Sequence, residues 1–197
     1  MKKLLLLVIA CYWSCAESVA QNGLYKGIGT VVFEAGAPLS LIKGTSEAAS
    51  GAVNLETGKL RFDVPITSFE FLNSLMHERF NSTYMHSHRY RKATFTGEIS
   101  DRKPAAKINE TYVTATGILT IHGVARKRTI KGLLVQTSNG WKLLSDFAVN
   151  LDDHHIKAPK LSSGYGASTM QVSLRMPLTP VKGTPQQASA FRKLSLK

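Results

Sequence analysis

The sequence predicts an all-β, antiparallel domain of about eight strands with one short helix, and three observations carry that prediction. Strand signals recur at short intervals between about residues 27 and 178, turn chemistry separates them, and helical spacing occurs once. Antiparallel strands joined by short turns either close into a barrel or stack as a sandwich, and closure removes the edges that would otherwise recruit other chains. No internal repeat or break in composition divides the chain, so one domain is expected.

Strands are expected at about 27–33, 45–54, 59–65, 93–100, 112–122, 125–136, 141–152 and 170–178. Thr57-Gly58 separates the second from the third. Asn139-Gly140, both tolerant of positive φ, reads as the clearest two-residue hairpin turn. In the fifth strand Val113, Ala115, Gly117, Leu119 and Ile121 fall on one side, with Tyr112, Thr114, Thr116 and Thr120 on the other. That is the period of two expected of a half-buried strand, broken only at Ile118. The helix is expected over about 71–80, where the spacing places Leu72, Met76 and Phe80 on one face.

The ends have a different character. Lys2 and Lys3, the apolar run Leu4 to Cys11 and the Ser18-Val19-Ala20 site read as a cleaved signal peptide over 1–20, with an apolar run too short to span a bilayer. A rival reading takes Val8-Ile9-Ala10-Cys11 as a lipoprotein box anchored at Cys11. Either way the barrel domain occupies 21–180, a basic tail follows over 181–197, and the expected location is periplasmic or secreted. Both cysteines, Cys11 and Cys15, lie in the leader, so the domain has to be held by an apolar core rather than by disulfides. The composition, 43% hydrophobic and 8% aromatic, is adequate for one.

Without Lys2, Lys3 and Glu17 the formal charge falls from +12 to +11, which favours anionic partners. Export makes nucleic acid a poor candidate and an anionic membrane surface or cell-surface polymer a better one. The charges are also scattered among the strands, as on a solvated barrel exterior.

Thr116 to Gly132, TGILTIHGVARKRTIKG, joins an alternating strand, a tight His-Gly turn and a basic strand in one hairpin. It resembles the YceI-like family of extracytoplasmic lipid-binding proteins, in which a Leu-Thr-Ile-His-Gly-Val run is the most recognisable element. The order Phe62-Asp63-Val64-Pro65-Ile66, Ser68-Phe69, Leu75 to Phe80, Tyr84-Met85 and Ala93 to Gly97 is similar to the family's strand, helix and returning strand. Phe147-Ala148-Val149, Asp152 and the strand Met170 to Leu178 are similar to its last hairpin. The likeness covers roughly residues 25 to 180. It implies a lipocalin-like closed β-barrel that holds an elongated apolar or amphiphilic ligand: a polyisoprenoid, an isoprenoid quinone or a fatty-acid-like lipid.

Carried over by position, the resemblance assigns the cavity wall to Phe62, Val64, Phe69, Phe71, Leu75, Met76, Phe80, Tyr84, Met85, Phe95, Leu119, Ile121 and Phe147. Each is also an ordinary core residue by type. Strand count does not decide between a filled interior and a ligand cavity. A filled barrel whose basic exterior binds anionic surfaces, as a stress or surface-interaction protein, is therefore the alternative. The sequence departs from the family's usual pattern at Arg89-Tyr90-Arg91-Lys92 and at Asp153-His154-His155. A basic rim of this kind would favour a phosphorylated or carboxylated head group.

Histidines provide the remaining chemistry. His86 and His88 would point the same way if their stretch were extended, with Asp152, Asp153, His154 and His155 as partners for a metal; exposed loop histidines are the plainer reading. His122 reads as a turn residue beside Gly123. No nucleophile elbow, phosphate loop or cysteine nucleophile accompanies it, and Gly164-Tyr165-Gly166 reads as a loop. The chain is accordingly expected not to be an enzyme and to need no cofactor or metal. Its expected partner is an isoprenoid or similar lipid, with transient membrane contact and a homodimer left open.

Overall fold

The computed structural model describes residues 23–35, 42–105, 107–157 and 168–181. The leader with Cys11 and Cys15, the tail beyond Val181 and Gly164-Tyr165-Gly166 lie outside these residues. Eight strands, β1 (Leu24–Ala35), β2 (Lys43–Asn54), β3 (Lys59–Pro65), β4 (Lys92–Pro104), β5 (Glu110–Ile121), β6 (Val124–Thr137), β7 (Gly140–Asn150) and β8 (Thr169–Pro180), pair antiparallel in sequence order. β8 returns to β1, which closes the barrel. One helix, α1 (Ser74–Arg79), lies in the connection from β3 to β4.

Alternation sets which face is inside. In β5 Val113, Ala115 and Leu119 are buried while Tyr112 and Ile118 are exposed, so the one irregular apolar residue points outward. Inside, Val31, Leu60, Phe95, Leu134, Leu143, Val149, Met176 and Leu178 form the main core with Phe69. Burying such side chains contributes roughly 1.5–3 kcal/mol each. β2 presents small residues inward. At Gly51 a Cβ would stand 2.4 Å from the Phe62 ring and 2.7 Å from the Met176 sulfur, so only glycine admits both neighbours.

The antiparallel order sends the β1–β2, β3–β4, β5–β6 and β7–β8 connections to one end of the barrel, here called the mouth. The opposite end is closed by the turns after β2 and β6 and by Leu24, Val53, Trp141 and Leu178. At the β2–β3 turn the Asn54 side chain accepts from the backbone N–H groups of Glu56 and Thr57, and Gly58 takes φ +78°.

Three expectations are corrected here. The tip of the β6–β7 hairpin is Ser138-Asn139, because Gly140 already pairs with Thr137 as the first residue of β7. The helix starts later than its periodicity suggests: Asn73 caps it, its side-chain oxygen accepting from Leu75 N at 2.8 Å and Met76 N at 3.4 Å. Leu72 is therefore outside the helix, and it is 108% exposed. The apolar face instead runs Met76, Phe80, Tyr84, because a π-helical turn over Phe80–Tyr84 extends α1. The seventh strand ends at Asn150, short of its expected limit, where the chain turns into a 3-10 helix over Asp152–His154.

Candidate functional site

The barrel encloses a cavity of about 230 Å³. It is far larger than the ~10–15 Å³ that admits one water, yet it is walled almost entirely by carbon and gives water few partners. β3 supplies Phe62 and Val64, β4 Phe95, β5 Leu119 and Ile121, and β7 Phe147, each at an inward position of its strand. Phe95 and Leu119 are directly opposed across β4 and β5, so they wall the cavity at one level. The β3–β4 connection adds Phe69, Phe71, Met76, Phe80, Tyr84 and Met85.

Of the residues that the family likeness assigned to the wall, Leu75 is therefore the one the structure places elsewhere. It is 49% exposed on α1, because the cap at Asn73 rotates Met76 rather than Leu75 toward the barrel. The wall also includes residues that the likeness did not assign to it, notably Phe33, Val31 and Met176. The intervening Val32 is apolar too, so alternation in β1 does not single out Val31 and Phe33.

Phe33 is the hub of an aromatic cluster across the mouth. Its ring centroid lies 5.0 Å from Phe69, 5.9 Å from Phe71 and 5.3 Å from Phe80, while Phe71 and Phe80 are 4.9 Å apart. Such pairs contribute beyond their buried area, and together they bind the β3–β4 connection to the barrel top. A second apolar group, containing Ile42, Ile66, Met85, Leu151, Ile156 and Met170, rings the same opening. Below them the connection is tied to β2: Thr45 and Glu70 exchange both backbone hydrogen bonds, at 3.0 and 2.8 Å. Ser68 Oγ donates to Pro65 O, so Ser46 Oγ donates to Ser68 Oγ at 2.7 Å, and the buried Ser46 is left fully paired.

Polar chemistry at the mouth centres on the β5–β6 turn. His122 and Gly123 both have positive φ, +51° and +75°, which is the pattern of a type I′ turn. His122 Nδ1 donates to His154 O at 3.4 Å, which leaves Nε2 to accept from His86 Nδ1 at 2.9 Å. Tyr90 meets the His122 ring edge-on at 4.4 Å. Gly123→Ala should cost about 1–2 kcal/mol of stability from the left-handed backbone alone. Its Cβ would also stand 2.5 Å from the Tyr90 ring, so urea denaturation should show at least that loss.

His154 is buried and not an exposed loop histidine, and its Nδ1 donates to Val124 O at 3.1 Å. Burial holds its pKa below the ordinary 6.5, as do the nearby Arg126 and Arg128, against the opposing pull of that hydrogen bond and of Asp153. His122 is likewise held low, chiefly by burial, with His86, His155 and Arg89 acting in the same direction. Because the folded state prefers both rings neutral, their stabilisation is complete above about pH 6.5 and is lost as the pH falls through the depressed values. An NMR titration should place the His154 midpoint below 6.5, and urea midpoints should decline over the same acid range.

The extended stretch that would point His86 and His88 the same way does not form. His86 has φ +43°, so the stretch to His88 is a turn, and the two rings are nearly perpendicular with centroids 6.3 Å apart. Among the described residues no group of three or more His, Cys, Asp or Glu converges on a common point. Arg89 lies 5.2 Å over the Tyr90 ring, and Arg91 is exposed beside β4, so both stand at the mouth.

The model for the YceI-like domain matches residues 28–179 of this sequence. The chain belongs to the YceI-like family. The YceI-like barrel superposes on BcnA of Burkholderia cenocepacia with a TM-score of 0.63, at 16% identity, covering 77% of this chain and 96% of that one. A polyisoprenoid-binding domain from Saccharophagus degradans, implicated in plant cell wall breakdown, gives 0.61 at 12% identity, covering 81% and 99%. A YCEI protein from Campylobacter jejuni gives 0.54 at 13%, covering 74% and 90%. At these identities the likeness is one of fold. No curated protein sequence matches this YceI-like chain. Among its described residues, no helix is long and apolar enough to cross a membrane.

Proposed function

We propose that the protein is an exported, non-catalytic carrier that holds the tail of an isoprenoid or similar amphiphile in the barrel. The observation that carries this reading is the carbon-walled cavity beneath the mouth, where Phe62, Phe95, Leu119 and Phe147 surround a space that water has little reason to fill. A filled barrel would have no such cavity. The S. degradans relative, described as polyisoprenoid-binding, supports the same ligand class.

Burying the tail gains about 0.8 kcal/mol per methylene relative to water. A bilayer provides nearly the same environment, so exchange with a membrane is close to balanced, and shape and head-group contacts decide the direction. Met76 and Met85 suit a tail of variable outline, since thioether chains repack readily. The net charge of the exported chain favours brief contact with an anionic membrane surface, weakening as salt rises. Arg89 and Arg91 at the mouth favour an anionic head. The Arg89→Ala/Arg91→Ala variant should bind a prenyl phosphate about threefold more weakly and a neutral prenol unchanged, as expected of exposed charges.

Titration with a dansyl-labelled farnesyl probe tests the reading. Saturable, one-to-one uptake with blue-shifted emission, displaced by unlabelled prenol and insensitive to salt, is the expected result. Uptake that disappears in high salt, or none, would contradict it in favour of surface binding.

A further inference from the structure

The barrel wall is not continuous at the boundary between β6 and β7. β6 pairs with β5 from Glu110↔Val135 to Ile121↔Val124, but with β7 only from Leu133↔Leu144 to Thr137↔Gly140. Above that fork, toward the mouth, Val124–Gly132 and Ser145–Asn150 form no ladder with each other, although β7 remains paired with β8 as far as Asn150↔Thr169. The β2–β3 ladder also stops early, at Ser50↔Asp63, but there the segment through Glu70 fills the gap with backbone hydrogen bonds.

Across the β6–β7 fork the recorded bridges involve side chains. Ser145 Oγ donates to Lys131 O at 2.6 Å at its base. Higher up, Arg128 Nη2 donates to Ala148 O at 2.6 Å, and its Nη1 lies 3.5 Å from the Asp153 carboxylate. Arg126 Nε donates to Asp153 O at 2.7 Å, and His154 Nδ1 donates to Val124 O. Arg126 and Arg128 are paired with Leu119 and Gly117, the inward register of β5, yet their heads cross to β7 and the turn after it. The cavity reaches this place, since Ile130, Gly132, Ser145 and Phe147 are in its wall.

We propose that the β6–β7 seam is a lateral gate for the apolar tail, latched by Arg126, Arg128, Asp153 and His154. The proposal rests on the carrier reading and adds the route to it. Parting neighbouring strands elsewhere breaks a backbone ladder or, above Ser50 and Asp63, the paired backbone hydrogen bonds of Thr45 and Glu70. Parting these two above the fork breaks only side-chain bridges, of which the Arg128–Asp153 pair is partly exposed, at 31% and 45%. A tail passing sideways between strands avoids threading lengthwise past the aromatic cluster of Phe33, Phe71 and Phe80. Its polar head stays outside throughout.

Stopped-flow exchange of the dansyl-farnesyl probe on the full chain tests this. Arg126→Ala/Arg128→Ala should raise association and dissociation rates together, about tenfold, with Kd changed less than about twofold, because a gate alters the open population and not the bound state. In a Cys11→Ser/Cys15→Ser background, Thr129→Cys and Ala148→Cys lie on outward positions either side of the seam. Joining them with a reducible bis-thiol linker should slow exchange at least about tenfold, and reduction should restore it. The cross-link leaves the latch intact and carries the test if the arginine variant does not fold. Exchange rates unchanged by the linker, with wild-type uptake intact, overturn the gate and leave the carrier reading standing. Absence of uptake by the unmodified protein overturns both.

Discussion

Leu119→Trp should leave a folded barrel that no longer takes up an isoprenoid probe. Leu119 is buried in β5, opposite Phe95, and its side chain points into the cavity. The larger indole would occupy the space of roughly three to five methylenes of ligand at about 0.8 kcal/mol each, so affinity should fall by about 50-fold or more. Overpacking a well-filled core commonly costs about 1–3 kcal/mol, but here the added volume enters open space, so stability should change by less. Probe titration together with urea denaturation separates the two effects. Equal probe affinity in the variant would place the ligand somewhere other than this cavity.

Phe33→Ala should have the largest effect on stability. The ring makes three of the aromatic contacts that fasten the β3–β4 connection over the mouth. Truncating a fully buried phenylalanine costs about 3–5 kcal/mol; Phe33 is half-buried, so the loss should be about 2–3 kcal/mol, a fall in Tm of about 5–10 °C for a domain of this size. Bound lipid should restore part of that loss by filling the enlarged cavity. Leu72→Ala, at a fully exposed position before α1, serves as the control and should shift stability by less than about 0.5 kcal/mol.

The strands were legible because alternation in a half-buried sheet is written residue by residue, as Val113, Ala115 and Leu119 show against Tyr112 and Thr114. The mouth was less legible. Helical spacing over 71–80 puts Leu72 on one face with Met76 and Phe80, and the family likeness adds Leu75; the Asn73 cap and the π-helical turn, which a 3.6-residue period does not represent, leave Leu72 and Leu75 exposed and bring Tyr84 in beside Met76 and Phe80. His154 read as an exposed loop residue because its partner, Val124 O, is 30 residues away in sequence. Phe33 sits in a run, Val31-Val32-Phe33, whose apolar character hides its inward phase.

The seam did leave a trace in the sequence. Along β6 the inward positions run Leu134, Gly132, Ile130 and then Arg128 and Arg126. Charged residues at inward positions of a barrel strand signal that the wall parts there, since an unpaired guanidinium would not be buried in a carbon-lined interior. Pairing partners across β6 and β7 are set in three dimensions, however, and the residues that receive the arginines, Ala148 and Asp153, carry no periodic signal of their own.

The central claim is that the interior binds a lipid, and organic extraction with mass spectrometry tests it most directly. The protein would be purified from a host with ordinary membrane lipids, in parallel with the Phe95→Trp/Leu119→Trp variant. The account predicts one polyisoprenoid, quinone or fatty-acid-like lipid per chain in the wild type, and none in the folded variant. An empty wild-type extract from protein that also takes up no added lipid, or equal lipid from both proteins, would contradict it.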